Sequence, residues 1–181
     1  MTKNKKVALG IGVTVIILFM LRKKLAEKLT FTSFGNLSDR IFNLIGALES
    51  FTPVAQWDFK QWSVGYGSGY NWDKKRAVQK GDIIDKETAK RWLMIEAEKY
   101  FNKVKSLVKV PINDNQLIAL SSFAYNVGDG ALADSTLLKL LNAGVDKNIV
   151  AAQFDKWVYA GGAVSKGLKN RRTAEKKLFL S

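Results

Sequence analysis

The stretch Leu44–Tyr70, LIGALESFTPVAQWDFKQWSVGYGSGY, constrains this chain more than any other part of it. An apolar helix end, Leu44 to Leu48, delivers one carboxylate, Glu49. Pro53 then stops the helix, because its ring cannot continue the hydrogen-bond ladder. A second carboxylate, Asp58, follows beside Lys60 in a segment of alternating aromatic and polar residues. Trp62, Val64 and Tyr66 alternate with small or polar neighbours, the period of a strand, and Gly65, Gly67 and Gly69 close the run. The pattern predicts a helix, a turn and a β-hairpin, with a carboxylate on each side of the turn.

Two carboxylates on different elements are what glycoside hydrolysis requires. One holds a proton for the leaving oxygen. The other stays ionised, to activate water or to stabilise an oxocarbenium-like transition state. Their surroundings must push their pKa values apart. Glu49, at the end of an apolar helix, suits the raised value, and Asp58, in a polar turn beside Lys60, suits the ionised partner. Spacing alone is weak support, because most Glu and Asp residues are solvated surface charges.

A chain of 181 residues has room for one domain with a real core and an appendage, and at 47% hydrophobic it is globular in composition. It contains neither Cys nor His. Disulfides, a thiol nucleophile and Ser-His or Cys-His triads are thereby excluded, and no metal or other cofactor is expected. The net charge is +13, of which residues 1 to 30 carry +6 and the remainder +7. Such a surface favours an anionic polymer such as the bacterial wall, an anionic membrane or simple solubility. The lysines are scattered and form no nucleic-acid module, so nucleic acid is not an expected partner.

Residues 41 to 180 resemble the phage lysozyme (endolysin, muramidase) family, the relatives of the T4 and P22-type lysozymes. Four segments carry the likeness: Glu49 to Gly67, in which eight residues separate Glu49 from Asp58; Ser121 to Gly144; Phe154 to Gly162; and Gly167 to Phe179. The resemblance implies an α+β, lysozyme-like domain, mainly helical, with a small β-hairpin or sheet beside the active-site cleft. It implies peptidoglycan as substrate, cleaved at the β-1,4 bond between N-acetylmuramic acid and N-acetylglucosamine. Glu49 would be the general acid, and Asp58 would stabilise the developing cation or help to activate water. Tyr125, Asn126 and Thr136 fall where the family presents residues to substrate. Helix capping next to Val127-Gly128 is the competing reading of Asn126, and a first-turn helix position that of Thr136. Arg171 and Arg172 fall where the family pairs arginine with the catalytic Glu or nearby acids; a solvated basic face is their competing reading. Two departures lie in the site. Val64 stands where the family has Thr, with Ser63 one residue earlier, a one-residue deletion that keeps the hydroxyl for orienting water. Ser68 stands where the family has His.

Two other functional readings stay open. A lytic transglycosylase uses the sugar's own hydroxyl and needs no positioned water. A membrane-anchored virion structural or wall-binding protein would carry a degenerate site.

Before this domain, MTKNKK is a basic head, and Val7 to Leu21 is an apolar run of 15 residues closed by Arg22, Lys23 and Lys24. That is short of the roughly 20 residues a spanning helix usually needs, but flanking lysines can snorkel. A signal peptide fits the head and the length, yet no small-x-small cleavage site follows. A buried core helix is the bland alternative. Residues 1–24 are therefore expected to form a head and membrane anchor helix, residues 25–37 a connector, and residues 38–181 the catalytic domain. Basic residues on both sides leave the orientation open by charge. Wall degradation would place the domain on the wall side of a virion membrane or the host inner membrane. Some endolysins of the resembling family release such an anchor.

Asn36 and Ser38 are candidate caps for a helix to about Ser50, with Ile41, Leu44, Ile45 and Leu48 on its apolar face. Asp85 with Thr88 opens a helix to about Ser106, on which Ala89, Trp92, Leu93, Glu96, Tyr100 and Val104 keep helical spacing; its aromatics read as core. Asn113 opens the next, ending at Gly128. Asp134 or Ser135 caps a helix that stops at Asn142-Ala143-Gly144. Asn148 to Trp157 reads as a short helix, Gly161, Gly162 and Gly167 as a flexible loop, and Arg171-Arg172 as the start of the last helix.

Overall fold

The computed structural model describes residue 37, residues 39–58 and residues 60–181. The chain divides into two units, Met1–Leu37 and Ser38–Ser181, and the architecture below is that of the second. The expected anchor at 7–21, the connector up to residue 36 and both candidate caps, Asn36 and Ser38, lie outside the described residues. Among the described residues no helix is long and apolar enough to cross a membrane.

Helix α1 spans residues 39–48. Ile41 and Ile45, one turn apart, are fully buried, and Leu44 and Leu48 are half-buried. The helix ends before Pro53 is reached, and Pro53 itself lies inside strand β1 (Thr52–Trp57). Its carbonyl accepts the Ile84 N–H at 2.9 Å. Proline is tolerated there because β1 belongs to a sheet of only two strands. β1 pairs antiparallel with β2 (Trp62–Gly65), in the register Gln56 opposite Ser63 and Trp57 opposite Trp62. The turn of this hairpin carries Asp58, and Glu49 sits between α1 and β1.

A second hairpin, β3 (Tyr70–Asn71) and β4 (Arg76–Ala77), is one that no sequence signal announced. Its turn puts Lys75 at φ +51°, where glycine is the usual occupant. Asp82 ties the following loop to it. The Asp82 carboxylate accepts both Arg76 terminal nitrogens at 2.7 and 2.8 Å and the Gln79 N–H at 3.0 Å. Arg76 holds the Asp82 carboxyl well below the usual carboxylate range. Ala55, Val64 and Val78 from this β region pack on Trp92 of α2, with Trp62, Trp72 and Ile84 around them.

Helix α2 (Lys86–Leu107) starts at Asp85, whose side chain accepts the Thr88 N–H. Helix α3 (Asp114–Val127) opens on a capping box between Asn113 and Gln116. Leu117 to Ala124 are all buried, so α3 is enclosed on every side, between α2 and the last helix. Phe123, Phe154, Phe179 and Trp157 meet beside it at ring separations of 5.2–5.8 Å.

The rest differs from expectation in detail. A short helix, α4 (Asp129–Asp134), follows α3 where none was expected. Ser135 caps α5 (Thr136–Asn142), and Gly144 ends it at φ +69°. The helix expected over 148–157 is instead α6 (Lys147–Ala151) followed by a 3-10 turn, Phe154–Lys156. The break lets fully buried Phe154 meet the Phe123 and Phe179 rings. The expected glycine loop is a hairpin, β5 (Tyr159–Ala160) and β6 (Ala163–Val164), with Gly161 and Gly162 both at positive φ in its two-residue turn. Gly167 lies in the first turn of α7 (Lys166–Leu180), which Ser165 caps. Arg171 and Arg172 therefore sit in the second turn of that helix and do not start it.

Candidate active site

A cavity of about 520 Å³ is lined by Glu49, Asp58, Lys60, Gln61, Ser63, Gly67, Tyr125 and Asn126. All three catalytic candidates, Glu49, Asp58 and Ser63, thus face one space, together with Tyr125 and Asn126 from the end of α3. The β1–β2 hairpin brings them there. Its turn presents Asp58, and its second strand presents Ser63. The Asp58 carboxylate accepts the backbone N–H of Lys60 at 3.2 Å and of Gln61 at 3.0 Å, while its own N–H donates to the Gln61 carbonyl at 3.0 Å. Local bonds of this kind fix an Asp side chain in a turn.

Glu49 is only partly enclosed, with 27% of its side chain exposed, and Arg171 Nη1 donates to its Oε1. Arg171 is anchored in turn. Its Nε donates to Glu175 Oε1 at 3.0 Å, and its Nη2 donates to the Ser122 carbonyl at 3.0 Å. Ser122 Oγ donates to the same Glu175 oxygen at 2.8 Å. Arg172 is fully buried, with its guanidinium 4.7 Å from the centre of the Phe123 ring. Its Nη2 donates to Asn126 Oδ1 at 2.7 Å. Its Nε lies 3.1 Å from Glu175 Oε2 without hydrogen-bond alignment, so that contact is coulombic. Burial pulls the Arg172 guanidinium down to about 10, opposed by Glu175, which leaves it charged at neutral pH.

Both arginines are thus buried ion-pair partners, and the solvated-face reading does not hold for them. Nor does the capping reading hold for Asn126: Gly128 is the C-cap of α3, and the Asn126 carbonyl oxygen is committed to Arg172. Thr136 is the exposed first residue of α5 and lines neither cavity described here.

A second cavity, of about 530 Å³, shares Gln61, Gly67 and Tyr125 with the first. Gly69, Tyr70, Trp72, Glu96, Lys99 and Tyr100 complete its lining. Glu96 Oε1 accepts from Ser68 Oγ at 2.5 Å and from Trp72 Nε1 at 3.1 Å. Burial pushes the Glu96 carboxyl above the ordinary range, against those two hydrogen bonds. The Tyr125 hydroxyl donates to the Tyr66 carbonyl at 2.7 Å, and burial raises it well above its usual value, so it keeps its proton. The sequence reading placed Glu96 at helical spacing on α2 but found neither this cavity nor the part Glu96 has in it. The signal was present, since Glu96 is the one carboxylate in the otherwise apolar stripe of α2. Tyr100, read there as core, is half-buried and lines the cavity.

Residues 46–175 match the phage lysozyme family, and the chain belongs to that family. An endolysin of Bacillus phage B103 is 39% identical over 149 residues, covering 81% of this chain and 54% of that protein. A SAR-endolysin of Escherichia phage Mu is 43% identical over 76 residues, covering 42% of this chain and 44% of that protein. The chain spans about half the length of these two relatives. The solved endolysin of Escherichia coli O157:H7 phage FAHEc1 superimposes with a TM-score of 0.68 at 32% identity, covering 78% of this chain and 90% of that one. The fold is lysozyme-like, mostly helical with small β-hairpins.

Proposed function

We infer that this protein hydrolyses peptidoglycan at the β-1,4 bond between N-acetylmuramic acid and N-acetylglucosamine, for phage entry or host lysis. The observation that carries the reading is the shared cavity, on which Glu49 from the end of α1, Asp58 from the hairpin turn and Ser63 from strand β2 all open. Family membership supports it. Glu49 acts as general acid on the leaving oxygen, and Arg171 holds its carboxyl group in one orientation. Asp58, fixed by the Lys60 and Gln61 amides, presents its carboxylate to stabilise the developing cation or to help activate water. Ser63 orients that water. Asn126, steered by Arg172, and Tyr125, held by Tyr66, form the substrate floor. The Ser63 hydroxyl on the cavity wall favours hydrolysis over transglycosylation, which needs no ordered water.

The apolar run Val7–Leu21 anchors the protein in a membrane, with the catalytic unit on the wall side. Kinship with a SAR-endolysin supports an anchor of this kind.

Digestion of purified peptidoglycan, with products read by mass, tests the reaction. The wild type is expected to release muropeptides with reducing ends; 1,6-anhydro ends would assign a transglycosylase instead. Glu49→Gln is expected to lower kcat by about 10²–10⁴, the usual share of general acid catalysis, with the fold retained and unfolding still cooperative. A fully active Glu49→Gln protein would sink the mechanism.

A further inference from the structure

We propose that Gln61 sets the register of the glycan by hydrogen bonding an acetamido group where the two cavities meet. This rests on the hydrolase reading above and adds a specificity residue to it. Gln61, Gly67 and Tyr125 are the described residues that line both cavities. Gly67 has no side chain, and the Tyr125 hydroxyl proton is spent on the Tyr66 carbonyl. Gln61 alone among the three offers an uncommitted polar group, for its carboxamide makes no hydrogen bond among the described residues, although its backbone N–H and carbonyl are both bonded to Asp58.

That carboxamide has a defined berth. It lies across Gly69, where an added Cβ would stand 2.3 Å from Gln61 Nε2, 2.6 Å from Cδ and 2.8 Å from Oε1. Any side chain at residue 69 would push the amide out. The backbone bonds to Asp58 fix the base of the side chain relative to one of the two carboxylates. A carboxamide offers a carbonyl acceptor and two N–H donors, the complement of an acetamido N–H and C=O. Each cavity lies within the ordinary range for a ligand site, about 300–1,000 Å³. The second adds the aromatic groups of Tyr70, Trp72 and Tyr100 against which sugar faces can lie. A strand bearing N-acetyl groups on successive rings would pass from one cavity to the other across Gln61. An acetamido group held there places the next glycosidic oxygen against Glu49.

The test compares peptidoglycan in its N-acetylated form with the same material chemically N-deacetylated, using the full chain, Gln61→Leu and Gly69→Ala. The wild type is expected to prefer the acetylated wall. Gln61→Leu should raise KM on that wall about fivefold, the worth of one neutral hydrogen bond, and lower kcat less than twofold. On the deacetylated wall it should match the wild type. Gly69→Ala should reproduce the loss, and the double variant should be no worse than either single one. Gln61 is exposed, so the variant is expected to unfold at the wild-type temperature. An unchanged acetylated-to-deacetylated ratio in Gln61→Leu, with the wild type active, overturns the proposal and leaves the hydrolase reading standing. A wild type that releases nothing from either wall overturns both.

Discussion

Single residues show how burial and partners divide the work among like groups. Asp58 stands in a turn whose amides converge on its carboxylate, and Glu49 is steered by a guanidinium that is itself held by Glu175 and Ser122. On the proposed mechanism Asp58→Asn should therefore cost less activity than Glu49→Gln, because it leaves the proposed proton donor in place; muropeptide release by the two variants, measured side by side, checks the order. Glu96 is the opposite case, a buried carboxyl that faces Ser68, Trp72 and Tyr125 and feels the positive charge of Lys99. Its folded pKa is raised, so its contribution to stability is complete below the unfolded value of about 4.3 and is lost as pH rises through the folded value. Glu96→Gln keeps an acceptor for Ser68 and Trp72 but carries no charge. The variant is expected to gain stability relative to the wild type as pH rises above the ordinary carboxylate range. Denaturant midpoints measured from pH 4 to 8 check this, and parallel curves would contradict it.

Among the elements, the β1–β2 hairpin matters most, because it has to bring Asp58 and Ser63 to a cavity whose floor belongs to α3. Gly65 lets the hairpin close onto α2. Its φ is +70°, and a Cβ there would meet Ala89 Cβ at 2.9 Å and Ile84 Cδ1 at 3.0 Å. Gly65→Ala combines backbone strain with overpacking and should cost about 2–3 kcal/mol in a chemical denaturation experiment. Activity should fall as well, because the shifted strand carries Ser63. The helices were the more legible elements. Asp85, Asn113 and Ser135 cap where their side-chain chemistry says they should. The hairpins β3–β4 and β5–β6 were missed because two-residue strands are too short to show a period.

The whole molecule joins two parts of different chemistry. The unit from Ser38 to Ser181 builds its site from groups far apart in sequence: Glu49 meets Arg171, Asn126 meets Arg172 and Tyr66 meets Tyr125. Ahead of it stands the basic head and apolar run of residues 1–24. If that run is an anchor, the full chain should float with vesicles in a density gradient, and a chain lacking Val7–Leu21 should remain in the soluble fraction. Flotation of both, or of neither, would refute an anchor at that place.

Sequence by itself determined the caps of α2, α3 and α5, a hairpin following Glu49, and the family, because each is written in local chemistry or in short-range spacing. Only the tertiary structure decided that Arg171 and Arg172 are buried partners and not a solvated face, that Asn126 is no helix cap, and that Glu96 lines a second cavity. The physical reason is common to these cases. Whether a polar side chain is solvated or paired depends on what a distant element places against it: Ser122 and Asn126 of α3 and Glu49 meet the two arginines, and Ser68 and Trp72 of the β region meet Glu96.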